Sequence, residues 1–256
     1  SCQKSNHFIL FVTTNYTMIL EACCQSVQSC LNAQKGGAWR VELCSALELG
    51  GLSPSSATIQ LSRQYITLPI MVLVRPRPGD FVYDRIEIAN IKREIENCKI
   101  MGIEGVVIGL LEEDGTVPYQ YLKDLVNAAH PMEVTFHRAF DVCSDPFQAV
   151  ETIIEAGCSR ILTSGQKPKA IDGIDLIGDL NDNYGEQIDF MVGSGVNASN
   201  IKRFADIGIK EFHMSGNVKI DHGVKSDILD LTYTETDIQA IKDAKELIRS
   251  LRSGKE

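Results

Sequence analysis

The feature that most constrains this chain is a recurrence. A short apolar run, a turn and an amphipathic helical stretch succeed one another along most of the sequence. The apolar runs begin near Ile19, Arg40, Ile70, Gly105, Val134, Arg160, Asp189 and Lys210, with successive starts 21 to 35 residues apart. Parallel strands need a connection of about a dozen residues or more, and every interval holds one. Strand and helix in alternation predict βαβ units and a parallel sheet. Eight units followed by a last helix predict an α/β fold of one domain, a closed (β/α)8 TIM barrel. Such barrels run to roughly 250 residues, and this chain has 256. The competing arrangement, an open doubly wound sheet, lacks its mark, because no GxGxxG opens the first unit.

Helix signals support the repeat. Asp145-Pro146 supplies a cap and then proline at the first helical position; Phe147, Val150, Ile153 and Ile154 follow at helical spacing, and Gly157 ends the stretch. Ile91, Ile95 and Cys98 before Gly102 repeat the scheme, as do Ile201, Phe204 and Ala205 before Gly208. The last helix carries Ile238, Ile241, Leu247, Ile248 and Leu251, and Thr234 and Asp237 have the spacing of a capping box. The barrel is expected over residues 18–256. Residues 1–17 contain the apolar run His7–Val12, too short to cross a membrane. They are expected to be an extension upstream of Met18, outside the barrel.

Composition narrows the partners. A net charge of −9 argues against nucleic acid and anionic membranes, which require a cationic footprint. The 8 cysteines include no CxxC pair, and a chain this long needs no disulfide staples. Free thiols in a reducing cytoplasm are expected. The partner classes that remain are a metal ion or a small molecule, with homo-oligomerisation through exposed helix faces and a dimer favoured.

Side-chain parity points to a site. In a barrel strand, alternate side chains face the lumen and the helices. Leu20 and Ala22 oppose Glu21 and Cys23; Val41 and Leu43 oppose Glu42 and Cys44; Val134 and Phe136 oppose Thr135 and His137; Phe212 opposes Glu211, His213 and Ser215. With the apolar set against the helices, the lumen receives Glu21, Glu42, His137 and His213, with Cys23 and Cys44 above the glutamates. Buried charge costs several kcal/mol unless paired. Two accounts remain open: a site at the carboxyl ends of the strands, where such barrels place their chemistry, or a structural ion network joining Glu21 and Glu42 to Arg75 or Arg77. Cys23 and Cys44 hold matching places on adjacent strands. Two inward thiols suit a soft ion, Cu(I) or Zn(II), or simply pack the core. Glu42 and His137 are candidate acid–base groups, His137 being oriented by Asp141 or serving as a metal ligand.

An anion subsite is the last signal. The sixth strand runs into Ser164 and Gly165, the seventh into Gly193 and Gly195, and the eighth into Ser215. Barrels often bind phosphate on backbone N–H groups of the last loops. Arg75, Arg77 and Arg138 add positive charge to the same rim.

Six ordered segments carry a resemblance: Leu20–Cys23, Gly36–Cys44, Gly50–Ser55, Arg75–Phe81, Val134–Asp141 and Leu162–Gly165. Together they resemble the CutC copper-homeostasis family from about Ile19 to Ser215. The resemblance implies a TIM-like barrel, a cytosolic location and a role in copper handling, with a Cu(I) site at Cys23 and Cys44. Two positions depart from the family pattern, Pro78 where glycine is usual and Cys24 after Cys23. The alternative to copper handling is a barrel enzyme acting by acid–base chemistry on a small phosphorylated or carboxylated metabolite.

Overall fold

The computed structural model of the protein describes residues 18–228 and 230–252. The expectation for residues 1–17 lies outside them. Eight parallel strands close on themselves in sequence order: β1 (Ile19–Cys24), β2 (Arg40–Leu43), β3 (Ile70–Leu73), β4 (Gly105–Ile108), β5 (Glu133–Phe136), β6 (Arg160–Thr163), β7 (Asp189–Val192) and β8 (Glu211–Met214). β1 pairs with both β2 and β8, so the seam of the barrel runs beside it. The strand starts agree with the sequence pattern to within one residue.

Helices α1 (Val27–Gly36), α2 (Ser56–Tyr65), α3 (Arg85–Ile100), α4 (Tyr119–Ala129), α5 (Pro146–Ala156), α6 (Ile174–Tyr184) and α7 (Ile201–Ala205) fill the intervals, and α8 (Ile238–Arg252) packs on α1 and α7. Local chemistry sets their ends. Ser26, Ser55, Asp84 and Asp145 accept N-terminal amide protons, and Gly37 and Gly157 take the left-handed conformation at the far ends of α1 and α5. The full capping box is Asp84 with Glu87. Thr234 instead lies in a strand, and Asp237 alone accepts the Gln239 amide at the start of α8.

That strand belongs to an element the repeat did not announce. Between β8 and α8 the chain forms an antiparallel pair, β9 (Asn217–Ile220) and β10 (Tyr233–Thr236). It is tied to the rim beside β1: Gln25 donates to the Thr234 hydroxyl and carbonyl, and Asn32 donates to the Thr236 carbonyl.

The apolar parity faces the helices as expected. Leu20, Ala22, Val41, Leu43, Val134, Phe136 and Phe212 join one buried layer with the inward faces of the helices. Cys23, Cys44, Met71, Leu73 and Val107 form a separate cluster inside the lumen. The main core therefore lies between strands and helices, and the lumen holds this smaller apolar cluster beside its polar side chains.

Candidate functional site

The floor of the lumen is an ion-paired layer. Arg40 bridges Glu21 and Glu211, and Arg160 joins Glu211 at 3.1 Å, Glu133 at 2.7 Å and the Thr135 hydroxyl at 3.2 Å. The two arginines hold Glu21 and Glu211, while Glu42 is met by Cys23 and His213. The expectation that Arg75 or Arg77 pairs with Glu21 and Glu42 is corrected, because Arg40 and Arg160 start their strands deeper in the barrel. Burial opposes ionisation of Glu21, but Arg40 and His213 outweigh it and hold the carboxyl down at about 2.

Above the floor, three adjacent strands converge. Glu21 Oε1 accepts from His213 Nδ1 at 2.7 Å. This bond turns the other ring nitrogen, Nε2, toward Glu42 Oε2, 3.7 Å away. Cys23 Sγ donates to the same Glu42 oxygen at 3.2 Å, and Cys44 Sγ lies 3.8 Å from Cys23 Sγ. One ligand atom each from Cys23, Glu42 and His213 falls within 4.8 Å of the others. Cys44 stands outside that trio, fully buried behind Cys23.

Protonation follows from these contacts. The hydrogen bond with Cys44, burial and the Glu42 charge raise the Cys23 thiol well above its ordinary range, so it is neutral. Burial raises Glu42, with His213 opposing. Burial would lower His213, but Glu42 and Glu21 raise it on balance.

The mouth encloses a cavity of about 330 Å³ whose wall includes Cys23, Glu42, Arg75, Phe81, His137, Arg138, Gly195, His213 and Ser215. The sequence candidates divide here. Cys23, Glu42, His137, Arg75, Arg138, Gly195 and Ser215 meet at this cavity. Gly193 lies just beneath, where a Cβ would clash with Leu162 Cδ1 at 2.6 Å and touch the His213 ring at 3.4 Å. Arg77 turns outward to Glu87 and Asp80. Ser164 and Gly165 also lie off the cavity wall, Ser164 beneath Arg138 and Gly165 packed against the Gly173 backbone.

Asp141 is separated from His137. It accepts from the Thr163 hydroxyl, the Ser164 amide and hydroxyl, and Arg138. It thus braces the loop after β6, and the expectation that it orients His137 is corrected. His137 Nδ1 instead accepts the Ala139 amide proton at 3.1 Å. Gly109, unremarked in the sequence, makes space for this ring: a Cβ there would approach His137 Nδ1 to 2.2 Å.

The donor set fits a soft or borderline metal. Thiolate and imidazole suit copper and zinc, and a carboxylate behind a ligating histidine, as Glu21 stands behind His213, fixes ring orientation and basicity. A sulfur separation of 3.8 Å is what two thiolates take on one tetrahedral ion at the roughly 2.3 Å zinc–sulfur distance.

A closed barrel with an ion-paired floor and a mouth of thiol, carboxylate and imidazole defines a (β/α)8 protein with a candidate ligand site at its mouth. The CutC family profile matches residues 18–218. A CutC family protein of Xanthomonas campestris pv. campestris is 41% identical over 239 residues, 91% of this chain and 100% of that protein. A CutC family protein of Bacteroides fragilis is 40% identical over 245 residues, 92% of this chain and 98% of that protein. The crystal structure of a protein from Streptococcus agalactiae named for copper homeostasis, CutC, superposes with a TM-score of 0.74 at 28% identity, covering 78% of this chain and 99% of that one. This chain belongs to the CutC family.

Proposed function

We propose that this protein serves copper homeostasis by binding Cu(I) at the barrel mouth. Cys23 is the soft thiolate ligand and His213 the imidazole ligand, Cys44 a second thiol within reach, and Glu42 the partner that accepts the proton Cys23 gives up. The observation that carries this reading is the convergence of Cys23, Glu42 and His213 ligand atoms within 4.8 Å. The ion is cargo here: Cys23 must lose its proton to take it, and Glu42 Oε2 already receives that S–H. The copper-homeostasis name of the Streptococcus agalactiae protein supports the same reading.

Anaerobic Cu(I) titration of the reduced protein against a competing chelator tests it. The expected outcome is one ion per chain, with affinity at least about tenfold lower in Cys23→Ser and in His213→Ala, the loss that a supporting group alone can cause. Equal affinity in wild type and both variants would sink the proposal.

A second reading, acid–base chemistry on a small metabolite, is favoured by Glu42, whose raised pKa suits a proton carrier in a cleft.

A further inference from the structure

Arg75 sits just after β3, 6% exposed, with its side chain in the cavity wall. Its guanidinium donates to three backbone carbonyls, Leu49 at 3.2 Å, Gly51 at 3.1 Å and Gly79 at 2.8 Å. It lies 5.0 Å from the centre of the Phe81 ring. Its Nε–H is buried and meets no acceptor in good hydrogen-bonding geometry, the neutral Tyr83 hydroxyl being a polar neighbour of the guanidinium. All of these neighbours are neutral. Among the described residues no carboxylate lies within ion-pair distance of Arg75, whereas the lumen cations Arg40, Arg160 and His213 each meet one. A buried guanidinium answered only by dipoles is costly, and a counter-anion would remove that cost.

His137 meets the other side of this cluster, its ring 4.9 Å from Phe81. Because Nδ1 accepts the Ala139 amide proton, the ring hydrogen is on Nε2, which is buried and unpartnered. Burial and the Arg75 charge push the His137 pKa down to about 3, so the ring stays a neutral donor. Across the cavity, Ser194 is held at φ 81° and Gly195 at φ 73°. A left-handed serine is a strained conformation of the kind that collects at ligand sites.

We infer that the barrel mouth binds a small molecule by an acidic oxyanion, held between the Arg75 guanidinium and the His137 Nε2–H, independently of any metal at Cys23. The oxyanion is a carboxylate or a phosphoryl group, each of which offers paired oxygens to a guanidinium. A cavity of about 330 Å³ suits a metabolite rather than a polymer.

The test is calorimetric titration of the chelator-treated full chain with inorganic phosphate and, separately, with malonate. At least one probe should bind saturably, near or below about 1 mM. Arg75→Lys should weaken it tenfold or more, since a point charge replaces paired donors. Binding of phosphate alone assigns a phosphoryl ligand, and of malonate alone a carboxylate. Should Arg75→Lys fail to fold, the wild type still decides: the His137 imidazole resonance, assigned with His137→Gln, must move with occupancy. Absence of saturable binding of both probes, binding that leaves His137 unmoved, or full affinity in a folded Arg75→Lys overturns the inference. Metal is absent throughout, so failure of the copper proposal leaves this result untouched, and the converse holds.

Discussion

Two histidines share this lumen and are pushed in opposite directions. Glu21 and Glu42 raise the pKa of His213, while burial and Arg75 lower that of His137 to about 3. The consequence for stability can be signed. Between pH 6.5 and about 3 an unfolded chain protonates His137 and the folded chain does not, so the unfolded state binds more protons and stability falls as pH falls. His137→Asn retains an acceptor for the Ala139 amide and cannot titrate. The variant is expected to be less stable at pH 7 but to lose stability more slowly with acid, by about 1.4 kcal/mol per pH unit in that window. Urea unfolding of both proteins at several pH values checks this; parallel curves would contradict it. Parity alone put His137, His213, Glu21 and Glu42 in the lumen. It did not reveal who pairs with whom, because Asp141 turns to the loop after β6 and Arg75 to three carbonyls, and those choices are made by loop backbone with no periodic signal.

The strands set the depth at which each charge sits. Arg40 lies opposite Glu21 in the β1–β2 register and Arg160 opposite Asp189 in β6–β7. Both arginines begin their strands, as the sequence pattern predicts, and both are buried. The stagger of a closed barrel carries the first residue of one strand level with the middle of another, and that offset is absent from a linear reading. Breaking such a layer is costly because a charge is left unpaired. Arg40→Met is expected to destabilise the fold by about 3–5 kcal/mol, and the double variant Arg40→Met/Glu211→Leu should recover part of the loss. Denaturant midpoints measure both, and a single variant within about 0.5 kcal/mol of wild type would show that the layer does not behave as a buried network. The strand starts were legible because each opens a short apolar run in regular alternation with helical stretches. The β9–β10 pair was not, although Asn217-Val218-Lys219-Ile220 alternates with a strand's period. Its partner Tyr233–Thr236 lies beyond a long connection, without the two-residue turn that announces a hairpin.

The position of the metal-capable trio bears on the stability of the whole barrel. Cys23 is on β1, Glu42 on β2 and His213 on β8, so an ion held by them spans the seam where the first and last strands meet. A ligand that binds only the native state stabilises it by about 2.7 kcal/mol at a free concentration one hundred times its Kd. For a chain of this size that corresponds to a rise in Tm of roughly 5–10 °C. Because an ion held across the seam suppresses local opening of β1 and β8 in addition to global unfolding, bound metal should also slow amide exchange in these strands more than in β4 and β5, which lie across the barrel. Cys23→Ser/His213→Ala should show neither effect, and removing the ion with a chelator should reverse both in the wild type. A metal-induced rise in Tm that persists in the double variant would place the ion elsewhere. A rise with uniform protection around the barrel would mean that the seam is not the element the ion fastens.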